Sequence, residues 1–224
     1  MGTYFLTGAT SGIGAVTARM LAERGDELVL VARNREKGAA LADAFPGSTI
    51  LEHDLEALGP IDVGGLPARI DGVVHAAGVV DVAPLDKTDR DSLVRTVEVN
   101  LVAPVLWTQA LLEPVRRARG THVFVNSGSG LHANAQWASY NASKFGLRGF
   151  ADALRLEEAE HGVRVSSVYP GRTATPMQEQ VHTQEGKDYD PEAWIRPETV
   201  AAEIVRLLDL GPDATIPELV IRPR

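Results

Sequence analysis

Tyr140 and Lys144 stand at i and i+4, with neither Gly nor Pro between Ser139 and Phe145 and helical apolar spacing beyond. On a helix, that spacing stacks an ammonium beside a phenol on one face. A phenol titrates near a pKa of about 10, too high for easy proton exchange at neutral pH, and a nearby cation favours its ionised form. Such a pair is a general acid–base device. Ser127 lies thirteen residues upstream, in Asn126-Ser127-Gly128-Ser129-Gly130 at the end of an apolar run. A serine in such a turn can also bond its own backbone, which is the better reading for Ser129.

Short apolar runs alternate with helical patterns along the chain and must position these groups. Strands are expected at residues 4–7, 28–31, 49–51, 73–75, 123–126, 163–169 and 219–221. Helices are expected at residues 13–24, 34–44, 89–119, 140–161 and 198–210. The alternation implies an α/β protein: one doubly wound domain over residues 1–224, a mostly parallel seven-stranded sheet with helices on both faces. Pro104 and Pro114 require residues 89–119 to kink or to form a shorter helix, and residues 55–69, with three Gly and two Pro, do not support a full helix.

Thr7-Gly8-Ala9-Thr10-Ser11-Gly12-Ile13-Gly14 follows the first strand and opens the first helix. Glycines there let the backbone turn tightly and approach a pyrophosphate, while helix N-terminal N–H groups hold its charge. Thr7-Gly8-x-x-x-Gly12-Ile13-Gly14 together with Tyr140-x-x-x-Lys144 resembles the short-chain dehydrogenase/reductase family, a Rossmann-type fold, from about Thr3 to Ile221. Further family motifs recur in order: Asp54-Leu55, His75-Ala76-Ala77-Gly78 in place of Asn-Asn-Ala-Gly, Asn100-Leu101, and Pro170-Gly171 with Thr175.

The resemblance implies hydride transfer between a nicotinamide cofactor and a carbonyl or secondary alcohol substrate. Tyr140 would exchange the proton, Ser127 orient the oxygen, Lys144 bind the ribose and lower the Tyr140 pKa, and Asn100 hold a relay water. Gly8, Thr10, Ser11, Gly12, Ile13, Gly14, Asn34, Asp54, Leu55, Ala76, Ala77, Gly78, Pro170, Gly171, Thr173 and Thr175 would border the cofactor, with Asn100, Tyr140 and Lys144. The residue after the second strand selects the dinucleotide. An acid there binds ribose hydroxyls, whereas Arg attracts a 2′-phosphate. Val31-Ala32-Arg33-Asn34 offers no acid, so NADP(H) is expected over NAD(H), with Arg33 the determinant.

A formal net charge of −8 with scattered basic residues argues against nucleic acid or anionic membrane partners. The sequence contains no cysteine, which excludes thiolate chemistry. With no basic leader or apolar span in view, a cytoplasmic location is expected. The six histidines lack metal-ligand spacing and read as surface or structural residues, so no metal is expected. Substrate-facing segments are expected at residues 131–137 and 176–194, with residues 179–190 a polar, mobile lid. Asp81 and Val82 are also expected beside the pocket. The family's habit of pairing through the helices at 89–119 and 140–161 implies a homodimer or homotetramer. The competing readings are a non-catalytic NADP(H)-binding regulator, an NAD(H)-dependent alcohol dehydrogenase, and an epimerase or dehydratase. The last would need a substrate domain that the sequence does not supply.

Overall fold

The computed structural model describes every residue except Leu58 and Pro60. Seven strands form one sheet in the order β3-β2-β1-β4-β5-β6-β7: β1 (Thr3–Thr7), β2 (Glu27–Ala32), β3 (Thr49–Glu52), β4 (Gly72–His75), β5 (Thr121–Val125), β6 (Arg164–Pro170) and β7 (Glu218–Ile221). Every pairing is parallel, with Phe5 opposite Val29 on one side and Val73 on the other. Parallel strands need crossovers that cover both faces, which is why the central strands are apolar without alternation.

The helices are α1 (Gly12–Glu23), α2 (Arg35–Ala44), α3 (Arg90–Val97), α4 (Ala103–Ala118), α5 (Ala138–Glu157), α6 (Pro176–Glu185) and α7 (Pro197–Leu208). On one face, Ala18 and Leu21 of α1 and Val200, Ile204 and Leu207 of α7 pack on Leu6, Leu30 and Val74. On the other, Trp107, Leu111 and Val115 of α4 cover Phe5, Val29 and Val73, while Leu147, Ala151 and Leu154 of α5 cover Phe124 and Val165. Strand order reverses between β1 and β4, and in such sheets the crevice beyond the strands' carboxyl ends is where ligands bind.

Two expectations change. The stretch expected as one helix over 89–119 is α3, a π turn at Glu98–Val102, and α4. Pro104 enters the first turn of α4, where a missing N–H is tolerated, and it has no N–H to give the Asn100 carbonyl four residues earlier. The Ala103 amide instead reaches back five residues to Glu98 O. Residues 179–190, expected as a mobile lid, mostly belong to α6. Thr175 caps that helix by accepting from the Gln178 amide at 3.3 Å, and Gly186 ends it in the left-handed conformation. Gln178 and His182 fill its buried face beside Val181, so the helix carries little apolar periodicity to read. Residues 55–69 contain no helix among those described.

Candidate active site

The strands' carboxyl ends open into a cavity of about 930 Å³. It extends from Arg33, Asn34 and Asp54, beyond β2 and β3, past the glycine turn after β1 to Ser127 and Tyr140, beyond β5. Gly8 has φ +75°, and a Cβ there would lie 2.6 Å from the Ala76 carbonyl carbon and the Ala77 nitrogen. Only glycine lets these two strand-end turns touch. Gly12, at φ +56°, faces the Thr175 methyl at 3.2 Å from its hypothetical Cβ, bringing the turn after β6 against the turn after β1. Ser11 precedes α1 without a side-chain cap, and the first turn holds no acid. The positive end of α1 is thus left uncompensated, as a bound pyrophosphate requires.

At the adenine end the structure qualifies the reading of Arg33. Its guanidinium is half exposed and paired with Glu56 at 3.3 Å and Asp54 at 3.9 Å. Glu56 is also held by Arg95 from α3 at 2.8 Å. Asn34 caps α2, its Oδ1 accepting from the Lys37 amide at 3.0 Å.

At the other end lie the residues expected to carry the reaction. Tyr140 and Lys144 are buried on α5, with Lys144 Nζ 5.7 Å from the Tyr140 ring centroid. Burial pushes the phenol's pKa up, and the Ser127 hydroxyl offsets part of that rise. Lys144, expected to lower it, is not among the causes of that shift. The ammonium is itself desolvated, which pushes its pKa down to about 8, and it donates to the Val125 carbonyl at 3.0 Å. Ser127 Oγ accepts from the Ser129 amide at 3.1 Å, which fixes the hydroxyl in a short turn. Ser129 departs from its expected local bond: its Oγ accepts from Asn134 Nδ2 at 3.2 Å.

Of the residues expected to act in catalysis or to border the cofactor, Asn100 and Gly14 do not line the cavity, and Val82, expected beside the pocket, does not line it either. The Asn100 side chain is spent on the Val79 amide and carbonyl, at 2.8 and 2.9 Å, and on Ser143 Oγ at 3.1 Å. It anchors the turn after β4 to α5. Any water relay would therefore use its backbone carbonyl, which Pro104 leaves without its i+4 donor. Gly14 lies behind the wall, packed on the Gly8 carbonyl too closely for any side chain. Asp81, expected at the pocket, lies off it and accepts from Gln184 of α6 at 3.0 Å.

Several residues escaped the sequence reading. Asn126 accepts from the Ser127 amide at 2.9 Å and donates to the Lys144 carbonyl at 3.1 Å, locking the serine turn to α5. Its position before Ser127 was the available signal. Lys37, Glu56, Arg172 and Arg222 also line the cavity. Arg172 pairs with Glu185 at 2.6 Å and lies over the Trp194 ring.

The profile of the short chain dehydrogenase family matches residues 3–186. The chain belongs to that family. A 3-oxoacyl-[acyl-carrier-protein] reductase of Bos taurus is 34% identical over 178 residues, 76% of this chain and 75% of that protein. A short chain dehydrogenase from Escherichia coli CFT073, solved with NADPH, superposes with a TM-score of 0.87 at 27% identity, covering 98% of this chain and 95% of that one. A 4-hydroxyisoleucine dehydrogenase complexed with NADH shares the fold at a TM-score of 0.84, with 22% identity over 100% of this chain and 98% of that one. As a short-chain dehydrogenase the chain is an oxidoreductase with a dinucleotide cofactor, and the cradle at Gly8 and α1 fits that cofactor's pyrophosphate.

Proposed function

We propose that this short-chain dehydrogenase interconverts a carbonyl compound and a secondary alcohol using NADP(H). The observation that carries the reading is the meeting of Ser127, Tyr140 and Lys144 in the cavity that also holds the glycine turn. When bound, the nicotinamide supplies or accepts the hydride. Tyr140 Oη gives its proton to the forming alkoxide in reduction and takes one from the alcohol in oxidation. Ser127 Oγ, held by the Ser129 amide, aligns the substrate oxygen with that phenol. Lys144, whose Nζ donates to the Val125 carbonyl, would hold a ribose hydroxyl of the cofactor and favour the tyrosinate. A water on the Asn100 backbone carbonyl would return the proton to solvent. Arg33, freed from Glu56, would take the 2′-phosphate as a charge-assisted partner. The NADPH held by the Escherichia coli relative, 27% identical, supports that preference.

A screen of NADPH and NADH consumption with aldehydes, ketones and quinones tests the class. Tyr140→Phe should lower turnover by roughly 10²–10⁴-fold while NADPH still binds. Retained turnover would falsify the proton role. Phe145 and Leu156 expose 43% and 81% of their surface on α5, which supports a proposed homodimer or homotetramer through α4 and α5. Light scattering at the monomer mass would refute it.

A further inference from the structure

Arg222 follows β7 and enters the cavity beside the serine turn. The backbone leading to this solvent-exposed residue is anchored: β7 pairs with β6 through Pro170 and Ile221, and the Gly171 amide donates to the Ile221 carbonyl at 2.8 Å. A Cβ on Gly171 would lie 2.8 Å from Pro223 Cδ, so the segment around Arg222 is pressed onto the Pro170-Gly171 turn. A Cβ on Gly128 would lie 2.5 Å from Arg222 Nη1 and 3.5 Å from its Cζ. The guanidinium therefore lies over the residue that follows Ser127.

Five cationic side chains line the cavity, and four have partners: Arg33 with Glu56, Lys37 with Glu36, Lys144 with the Val125 carbonyl, and Arg172 with Glu185. Among the described residues, Arg222 has neither a hydrogen bond nor a carboxylate within 4.0 Å, in a chain whose formal net charge is −8. A guanidinium presents a planar fork of donors that matches a carboxylate. It lies at the Gly128 end of the cavity, whereas Arg33, where the 2′-phosphate is expected, lies beyond β2 at the other end.

We propose that the substrate is an oxo acid, or the matching hydroxy acid, whose carboxylate is bound by Arg222 while Ser127 and Tyr140 engage its reacting oxygen. This rests on the oxidoreductase reading above and adds the substrate class to it.

The test pairs each of pyruvate, acetoacetate and 4-oxopentanoate with its methyl ester, using NADPH and NADH in turn. Wild-type protein should prefer at least one acid over its ester by tenfold or more in kcat/KM. Arg222→Gln should remove that preference through KM, Arg222→Lys should restore part of it, and the KM for the dinucleotide should stay unchanged. Equal use of acid and ester by the wild type, or a preference that survives Arg222→Gln, overturns the proposal. If no carbonyl compound is reduced, the reaction class fails separately, and melting shifts with the same acids in the presence of NADP⁺ decide the anion site. A shift in the wild type that is absent in Arg222→Gln supports it; no shift in the wild type overturns it.

Discussion

Lys144 is a charged side chain held 3% exposed, and its environment works against its charge. Burial brings its pKa from 10.5 to about 8, so the unfolded chain binds this proton more tightly than the folded protein. The resulting destabilisation is fully present below pH 8 and vanishes as pH rises through 8 toward 10.5. It amounts to about 3 kcal/mol at neutral pH, the kind of strain kept where function needs it. Lys144→Met should therefore raise the melting temperature at pH 7 by several degrees while lowering turnover. The gain should shrink in melts near pH 10, and a lower melting temperature at pH 7 would contradict it. Tyr140, raised by burial, stays protonated at neutral pH in the cofactor-free protein, so ultraviolet difference spectra of that protein should show no Tyr140 tyrosinate across pH 6–8. Arg33 carries a different constraint, because it can hold a 2′-phosphate only by leaving Glu56. Glu56→Gln should tighten NADPH binding several-fold in fluorescence titration and leave NADH binding nearly unchanged. Arg33→Asp should reverse the preference.

Elements carry their own tension at the centre of the sheet. His75 of β4 stacks on Phe124 of β5, with ring centroids 4.7 Å apart, and His122 lies at 6.0 Å from His75. Both imidazoles are fully buried; His75 reaches Thr108 Oγ1, whereas neither nitrogen of His122 has a partner among the described residues. Desolvation lowers both pKa values, that of His122 from 6.5 to about 4. The neutral rings are favoured, so their contribution is complete above pH 6.5 and is lost as pH falls through 4. His122→Leu should flatten that acid slope in urea melts and add about 1–3 kcal/mol at pH 7 by removing unpaired buried polar atoms. A loss of stability would instead point to a buried partner for the ring. These histidines had read as structural, and the burial of both agrees. The π turn was legible only as a conflict between Pro104 and helical periodicity, because choosing a kink over a break depends on packing against α5.

At the scale of the molecule, the cavity is assembled from the ends of seven strands and from α5 and α6, so a dinucleotide would bind the folded chain and not the unfolded one. Melting in the presence of NADP⁺ at 100 times its Kd should show a gain of about 2.7 kcal/mol, and no shift would argue against a formed site. The strand–helix alternation, the glycine turn and the Tyr140–Lys144 pair were readable because each depends on local spacing: period, turn chemistry and i, i+4 geometry. So were most of the cavity residues, since strand ends in a parallel sheet are brought together by topology. Other features rest on partners distant along the chain. Glu56 claims Arg33, burial raises the Tyr140 pKa, and β7 delivers Arg222 onto Gly128. The sequence alone determined the fold class and the i, i+4 placement of Tyr140 and Lys144, because periodicity and spacing are properties of neighbouring residues. Only the tertiary structure decided which charges are paired, which are desolvated and which one faces the cavity unpartnered, because those depend on what the folded chain packs around them.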